Sequence, residues 1–307
     1  MPLIILLFAL FASIFTLQKQ TLQYADPLFI IGTRMLFAGI VLISYCIIIQ
    51  RKKIKIHKKR HYLYFLALSF FGIYLTNVCE ILGTTGMDSS KVCLIYSFTP
   101  FVTVLFTYVL YKEQLKCKQY LGLSLGFLGL LPINNIKTNI ELQSTLLYTF
   151  SKYEIIVFAA VVFSVIGWML LKELIKYNYP ITVVNGYSMS VGGLLILTHS
   201  YFIGENWTPS NIDDFTKFLE YNLITCIISN FCCYNLFGYL LKRYSVTLLT
   251  FAGLLTPFFS IFFGFIFLHE IITIQFFIAL LLFYIGLLVY YYEEKKQNTK
   301  NNSTFTY

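Results

Sequence analysis

Ten long apolar runs account for most of the chain, and they limit what it can fold into more than any other feature. A membrane core about 30 Å thick is crossed by roughly 20 apolar residues in a helix, and a backbone in lipid must satisfy its own hydrogen bonds. The runs predict an all-α integral membrane protein with ten transmembrane helices, near residues 2–22, 27–50, 62–84, 90–111, 118–134, 154–176, 180–203, 217–240, 246–268 and 272–292.

The composition agrees with a membrane protein, because only 12% of the 307 residues are charged, whereas soluble domains carry about 25%. The formal net charge is +9, and most of the basic residues lie at alternate ends of the apolar runs. The run from Arg51 to Arg60 is interpreted as an anchor on anionic lipid headgroups rather than a nucleic-acid site. The charge bias predicts cytoplasmic termini, with a polar tail at 293–307. The abundance of Ile, Lys, Asn, Phe and Tyr favours a bacterial inner membrane.

One motif occurs twice, as TPFVTVLFTYVLYKE from Thr99 to Glu113 and as TPFFSIFFGFIFLHE from Thr256 to Glu270. The two copies are offset by 157 residues, and a second pair of matches, Pro27 with Pro180 and Gly39 with Gly192, is offset by 153. The repetition predicts a first half at 1–139, a linker at 140–152 and a second half at 153–292.

Each predicted half contains five helices, and an odd number changes the side from which the second half enters the membrane. The halves are therefore expected to be inverted repeats, related by a pseudo-twofold axis in the membrane plane. Two such units can exchange conformations so that a midplane site opens first to one side and then to the other. Alternating access follows from this symmetry.

The ordered motifs resemble the EamA-type carriers of the drug/metabolite transporter superfamily. The resemblance rests on the ten-span plan, the duplicated proline with its downstream glutamate, the DPLFIIGTRMLFAG block from Asp26 to Gly39, and Lys19 near the end of the first span. It implies transport of small metabolites through a central cavity between the halves. The sequence departs from the family pattern at Phe11, where a tryptophan is usual, and at Tyr187, where an arginine is usual.

A carrier needs a few polar groups near the midplane to replace the hydration of its substrate, inside an otherwise apolar and aromatic cavity. The candidates for the substrate cavity are Lys19, Asn77, Glu80, Tyr96, Ser97, Trp168, Asn230 and Tyr234. Alternatives stay open for several of them: Lys19 also fits an interfacial side chain, and each asparagine also fits a hydrogen bond between helices.

The paired prolines, Pro100 and Pro257, fall near the middle of their spans and are candidate hinges, because each removes a backbone donor. A static kink is the alternative. Glu113 and Glu270 lie about 20 Å farther along a helix, so they are expected at the membrane edge as structural charges near the next helix N-terminus. Arg34 is interpreted mainly as a structural charge paired with Glu80, with substrate contact as the alternative.

The function favoured by these patterns is secondary active transport of a small polar or amphipathic metabolite, with an amino acid as the first guess and a nucleotide-like compound as the second. The alternative is an integral-membrane enzyme acting on lipid or isoprenoid substrates. No catalytic residue, cofactor or metal site is expected. Membrane lipid is an expected partner and nucleic acid is not, while a coupling proton, a counter-substrate and a homodimer remain open alternatives.

Overall fold

The protein is described here by a computed structural model over residues 2–49, 58–87, 89–112, 116–128, 151–207, 212–268, 278, 281–282, 284–293 and 296, and this part of the chain contains no strand. Residues 284–293 are helical. The other helices are α1 (Pro2–Thr21), α2 (Pro27–Ile48), α3 (Lys59–Thr85), α4 (Ser89–Tyr96), α5 (Thr99–Tyr111), α6 (Cys117–Leu128), α7 (Lys152–Lys176), α8 (Ile181–Ile203), α9 (Ile212–Leu241), α10 (Val246–Ala252) and α11 (Leu255–Leu268).

Six of the described helices, α1, α2, α3, α7, α8 and α9, are long and apolar enough to cross a membrane. Large apolar side chains cover their outer faces, among them Ile48 at 72% exposed and Phe202 at 79% exposed. Such a surface is stable against lipid tails but not against water. The protein is therefore a multi-pass membrane protein. The ten-helix count remains a prediction, because the fifth and tenth predicted spans extend beyond the described residues.

The fourth and ninth predicted spans are each broken into two helices rather than kinked. α4 ends at Tyr96 and α5 begins at Thr99, with Pro100 in the first turn of α5. The same break separates α10 from α11, where Pro257 is the third residue. Proline is tolerated in the first turn of a helix because the N–H groups there have no partner within the helix. The breaks recur at the 157-residue offset of the sequence motif.

α3 and α9 each contain an eight-residue π-helical segment, Leu68–Leu75 and Cys226–Cys233. In each, a side chain five residues downstream donates to a carbonyl of the segment. The Thr76 hydroxyl donates to Phe71 O at 2.8 Å, and the Asn235 amide donates to Asn230 O at 3.2 Å. No pattern in the sequence predicts these segments, and π-helical turns are frequent at functional sites in proteins.

The pair α2 and α8 pack together along their whole length and run antiparallel. Gly39 lies against Ser190, and the thiol of Cys46 donates to the hydroxyl of Thr182 at 3.2 Å. A Cβ added at Gly39 would lie 2.4 Å from the backbone nitrogen of Ser190, so only glycine allows this approach. α2 and α8 are the counterparts predicted from the 153-residue offset, and their opposite directions are those expected of an inverted pair.

The beginnings of three helices are fixed by side chains that accept backbone hydrogen bonds. The Glu205 carboxylate, which follows α8, accepts from the N–H groups of Leu28 and Phe29 in the first turn of α2, at 3.1 and 2.9 Å. The other two caps are local: Glu154 accepts from Ser151 N at 2.9 Å before α7, and Ser245 accepts from Leu248 N at 3.0 Å before α10. Glu205 therefore connects α8 to the start of α2.

Candidate functional site

A polar cluster from four helices lies inside the bundle. It consists of Gln18 of α1, Arg34 of α2, Glu80 of α3 and Tyr96 of α4. The Tyr96 hydroxyl donates to the Glu80 carboxylate at 2.6 Å. Arg34 and Glu80 interact electrostatically, and the Gln18 amide lies beside the same carboxylate. A cation, an acid, a phenol and an amide thus share one enclosed region.

Two members of the polar cluster have unused hydrogen-bonding capacity. Gln18 is 1% exposed; its amide nitrogen approaches the Glu80 carboxylate without a well-formed hydrogen bond, and its amide oxygen has no partner. Arg34 is 3% exposed, and its Nε is likewise without a partner. Buried polar atoms in native proteins nearly always have partners. Their occurrence together beside one carboxylate indicates a place where a polar ligand group completes the bonding.

The π segment of α9 ends at the same region. Tyr234 is the first residue after the segment, and its hydroxyl accepts from the Asn77 amide of α3 at 3.4 Å. It also interacts electrostatically with both Arg34 and Glu80. Glu80, Tyr96 and Tyr234 lie deep among the helices and yet are only half-buried. The three side chains therefore line an internal space between the helices.

Aromatic rings form the neighbouring wall of this space. The Trp168 indole of α7 stacks on Phe237 of α9, with centroids 3.9 Å apart and planes 27° from parallel. Its centroid lies 5.5 Å from that of Tyr234. Trp168 is half-buried. Tyr234 thus joins a charged region on the α1–α4 side to an aromatic region on the α7–α9 side.

A family model described as "EamA-like transporter family" matches residues 1–135 and residues 151–292. This chain belongs to the EamA-like transporter family. Two of its relatives are proteins named S-adenosylmethionine/S-adenosylhomocysteine transporter. One, from Chlamydia muridarum, is 36% identical over 85% of this chain and 81% of its own length. The other, from Chlamydia trachomatis serovar D, is 35% identical over 85% of this chain and 79% of its own length.

The fold of this EamA-like transporter also matches a solved crystal structure that is 15% identical. That match has a TM-score of 0.69 and covers 96% of each chain. At this level of identity it shows the fold alone. The family assignment confirms the resemblance predicted from the sequence motifs.

Lys19 of the transporter has hydrogen-bond partners of its own at the end of α3. Its ammonium donates to the carbonyls of Thr84 and Met87, at 2.9 Å each, where α3 ends. Lys172, the counterpart of Lys19 at the 153-residue offset, donates to Tyr244 O at 3.0 Å just after α9. Repetition of the contact in both halves points to a lysine that secures a helix C-terminus, rather than one that contacts substrate.

Ser97 and Asn230, two further candidates, have their own contacts within the bundle. The Ser97 hydroxyl donates to Cys93 O at 3.2 Å in the break after α4. The Asn230 amide nitrogen donates to the thioether sulfur of Met35 at 3.0 Å, whereas its Oδ1 has no partner. Asn230 and Tyr234 are four residues apart, a spacing that places two residues on one face of an α-helix. They contact different helices here, because a π-helical turn is wider than an α-helical turn.

The structure differs from the expected Arg34–Glu80 ion pair. Within the described residues, no atom of Arg34 comes within 4.0 Å of a carboxylate oxygen, and Glu80 instead accepts from Tyr96. A buried arginine that lies near a carboxylate without pairing directly with it is costly inside a membrane protein, and such a residue is by default a candidate for a functional site. Arg34 therefore joins the candidate site residues. Glu113 and Glu270 lie outside the described residues.

The carbonyls near the two prolines already accept hydrogen bonds. The hydroxyl of Thr99 donates to Tyr96 O, and the N–H of Thr256 donates to Gly253 O at 2.9 Å. Because each proline lacks a backbone N–H, these carbonyls were expected to lose their usual hydrogen-bond partners. The two threonines supply replacement donors at the breaks. The two prolines thus mark the breaks, and neither offers a bare carbonyl to a substrate.

Two site residues were missed by the sequence analysis, Gln18 and Phe237. Gln18 could have been found, since an amide within an apolar run is costly unless it has a partner. Phe237 could not, because phenylalanine is among the commonest residues of this chain, and only the folded structure shows that Trp168 stacks on it.

Proposed function

We propose that this transporter is a secondary carrier for S-adenosylmethionine, S-adenosylhomocysteine or a closely related adenosyl amino acid, and that it works by alternating access. The observation that carries the proposal is the enclosed site with charged groups on one wall and stacked aromatic rings on the other. The chlamydial relatives, whose names specify these substrates, favour the same substrate class.

S-Adenosylmethionine combines both substrate classes considered from the sequence, because it joins an amino acid to an adenosine through a sulfonium. Its ammonium, carboxylate and sulfonium require polar partners, and its adenine ring requires a flat apolar surface. Arg34, Glu80, Gln18 and Tyr96 supply the first kind of surface. Trp168 supplies the second. A free amino acid would leave the aromatic wall unused, so the adenosyl compound is preferred.

The repeated architecture supports an alternating-access mechanism. The breaks at Pro100 and Pro257, the π segments of α3 and α9, and the antiparallel pair α2 and α8 occur at matching positions of the chain. Inverted halves at 1–139 and 153–292 would exchange conformations around a midplane site. In this proposal the prolines act as hinges between short helices.

The positive-inside pattern supports a cytoplasmic location for both termini in a bacterial inner membrane. In this orientation Lys19 and Glu205 lie toward the outer surface, and Lys172 lies toward the inner surface. The alternative of a membrane enzyme acting on lipid or isoprenoid substrates has no observation in its favour, because the polar cluster faces the interior of the bundle and not the lipid.

Flux measured in proteoliposomes tests the proposal. Purified protein is reconstituted into vesicles preloaded with unlabelled S-adenosylhomocysteine, and entry of labelled S-adenosylmethionine is followed. We expect saturable uptake that is accelerated by the internal substrate, since exchange of a loaded carrier is faster than its empty return. Vesicles containing the variant Glu80→Gln are the matched control, because this variant preserves the side-chain shape and removes the charge.

The uptake assay also separates the alternatives. Excess unlabelled methionine, added outside, should compete weakly, whereas S-adenosylhomocysteine should compete strongly. Competition by methionine at the same concentration as the adenosyl compound would favour an amino-acid carrier instead. Folded protein that gives neither saturable flux nor counterflow of any adenosyl compound would contradict the proposal.

A further inference from the structure

We infer, on the basis of the proposed function, that the two halves of the protein bind different parts of the substrate: Arg34 binds the α-carboxylate, Glu80 binds the α-ammonium, and the exposed face of Trp168 receives the adenine ring. Nothing in the family match or in the names of the relatives specifies these contacts. The inference assigns a separate recognition role to each of three side chains.

The charged part of the inference rests on the separation of Arg34 from Glu80. The two side chains interact electrostatically, but the described structure contains no ion pair between them within 4.0 Å. An α-amino acid group carries both opposite charges, so it can lie between them and pair with each. The guanidinium matches the planar geometry of a carboxylate.

The unpartnered amide of Gln18 completes this subsite. The Gln18 amide nitrogen approaches the Glu80 carboxylate without a well-formed hydrogen bond, and the amide oxygen has no partner. Its oxygen can accept from an ammonium and its nitrogen can donate to a carboxylate. The same zwitterion therefore provides partners for all three buried groups, which a simple cation or a simple anion does not.

The aromatic part of the inference rests on the face of Trp168 that does not contact Phe237. One face of the indole stacks on Phe237, and the side chain as a whole is half-buried. A fixed, flat indole favours stacking with a purine. Tyr234 contacts this ring and also interacts with Arg34 and Glu80, so the two subsites meet at its side chain.

The second half lacks the charged groups at the corresponding positions. At the 153-residue offset Leu171 stands at the counterpart of Gln18 and Tyr187 at that of Arg34. The counterpart of Glu80 is Phe237 at the 157-residue offset of the proline motif and Gly238 at the 158-residue offset of the π segments, so it carries no charge in either register. Leu171 and Phe237 belong to the apolar core, at 1% and 2% exposed. A zwitterion therefore has only one matching subsite, and this fixes the orientation of the substrate.

A ligand series combined with matched variants tests the inference. Binding to the purified full-length protein is measured for S-adenosylmethionine, for its decarboxylated form, and for 5′-methylthioadenosine, which lacks the amino acid. The variants are Arg34→Gln, Trp168→Leu and Tyr187→Phe. Tyr187→Phe is the control because Tyr187 is the counterpart of Arg34 in the second half, and its ring packs against Phe65.

Unmodified protein should bind S-adenosylmethionine at least tenfold more tightly than the decarboxylated form. Arg34→Gln should weaken binding of S-adenosylmethionine at least tenfold and of the decarboxylated form less than threefold, because the second ligand has no carboxylate to lose. Trp168→Leu should weaken all three ligands by similar factors. Tyr187→Phe should change none of them by more than twofold.

Equal weakening of S-adenosylmethionine and its decarboxylated form by Arg34→Gln would overturn the carboxylate assignment. If that variant does not fold, the comparison of the two ligands on unmodified protein decides instead, and equal affinities would overturn the assignment. Unmodified folded protein that binds none of the adenosyl ligands would contradict the proposed function itself. Binding and flux without carboxylate recognition would contradict the inference alone.

Discussion

The two segments that match the family, residues 1–135 and 151–292, share several helix features and differ in the side chains near the candidate site. Both have a lysine that secures the end of a long helix, Lys19 in the first half and Lys172 in the second. Both have a π segment and a helix broken near a proline. Yet the polar cluster of Gln18, Arg34 and Glu80 corresponds to apolar and aromatic residues in the second half.

This difference distinguishes residues that hold the fold together from residues that form the candidate site. Contacts that recur in both segments, such as those of Lys19 and Lys172, are expected to serve the fold, because they join helices that both segments contain. Residues present in only one half are free to serve a substrate that has no symmetry of its own. Within one chain, the comparison of counterparts therefore indicates function without any alignment of relatives.

The largest effect is expected from loss of the charge at Glu80. Glu80→Gln should lower the kcat/KM for transport of S-adenosylmethionine about 100-fold, because a buried charge-assisted pair with the substrate ammonium is lost. The measurement is initial uptake in proteoliposomes at several substrate concentrations. Glu293→Gln is the control, since Glu293 pairs with Lys116 outside the site. Equal losses in both variants would remove the distinction between site and scaffold.

The substitution Gly39→Ala adds a methyl group and is expected to lower the stability of the protein strongly. Its Cβ would meet the backbone nitrogen of Ser190 at 2.4 Å, whereas a Cβ at its counterpart Gly192 would meet the side-chain atoms Cγ2 and Cβ of Ile73 at 2.5 and 2.7 Å. A backbone atom can move less than a side-chain atom, and overpacking lowers the free energy of unfolding by roughly 1–3 kcal/mol. Thermal unfolding in detergent should show a greater decrease for Gly39→Ala than for Gly192→Ala. The reverse order would contradict the close approach of α2 and α8.

The two lysines should affect stability more than affinity. Lys19→Met removes two charge-assisted hydrogen bonds, and Lys172→Met removes the bond to Tyr244 O; such bonds contribute about 1.5–3 kcal/mol. Both variants should unfold at a lower temperature and bind S-adenosylmethionine within threefold of unmodified protein. A tenfold loss of affinity for S-adenosylmethionine in Lys19→Met alone, with an unchanged melting temperature, would indicate that Lys19 contacts the substrate.

The smallest effect is expected at the prolines. Pro100→Ala and Pro257→Ala restore a backbone donor at each break, which favours joining the two short helices into one. We expect transport to slow by about two- to fivefold, with little change in affinity or melting temperature. Wild-type rates in both single variants and in the double variant would contradict the hinge role and leave the carrier assignment intact.

Much of the fold could be predicted because the length of each apolar run and the recurrence of a motif can be read directly from the sequence. The spans that became α2 and α8 were predicted to within a few residues, and the repeated proline motif identified the matching breaks. The π segments could not be predicted, because they depend on how Thr76 and Asn235 reach a carbonyl five residues earlier. No residue pattern in α3 or α9 distinguishes them from ordinary helix.

The candidate site was predicted less well than the fold. Glu80, Tyr96, Tyr234 and Trp168 were chosen as polar or aromatic residues at suitable depth, and they lie together in the structure. Lys19 was chosen on the same grounds but donates to the end of α3, since a long side chain can reach either the interior or a helix end. Depth along a helix is readable from sequence, whereas the direction of a side chain depends on its neighbours.

The hydrogen bond between Asn77 and Tyr234 joins residues that are 157 positions apart, which makes them counterparts at the offset of the proline motif. A pseudo-twofold rotation that exchanges the halves would exchange these two residues with each other. In an inverted-repeat carrier, their separation is therefore the same in the outward-open and inward-open states. Spin labels at 77 and 234 would report the same distance in the outward-open and inward-open states, and a difference between these two states would show that the halves do not exchange symmetrically about this pair.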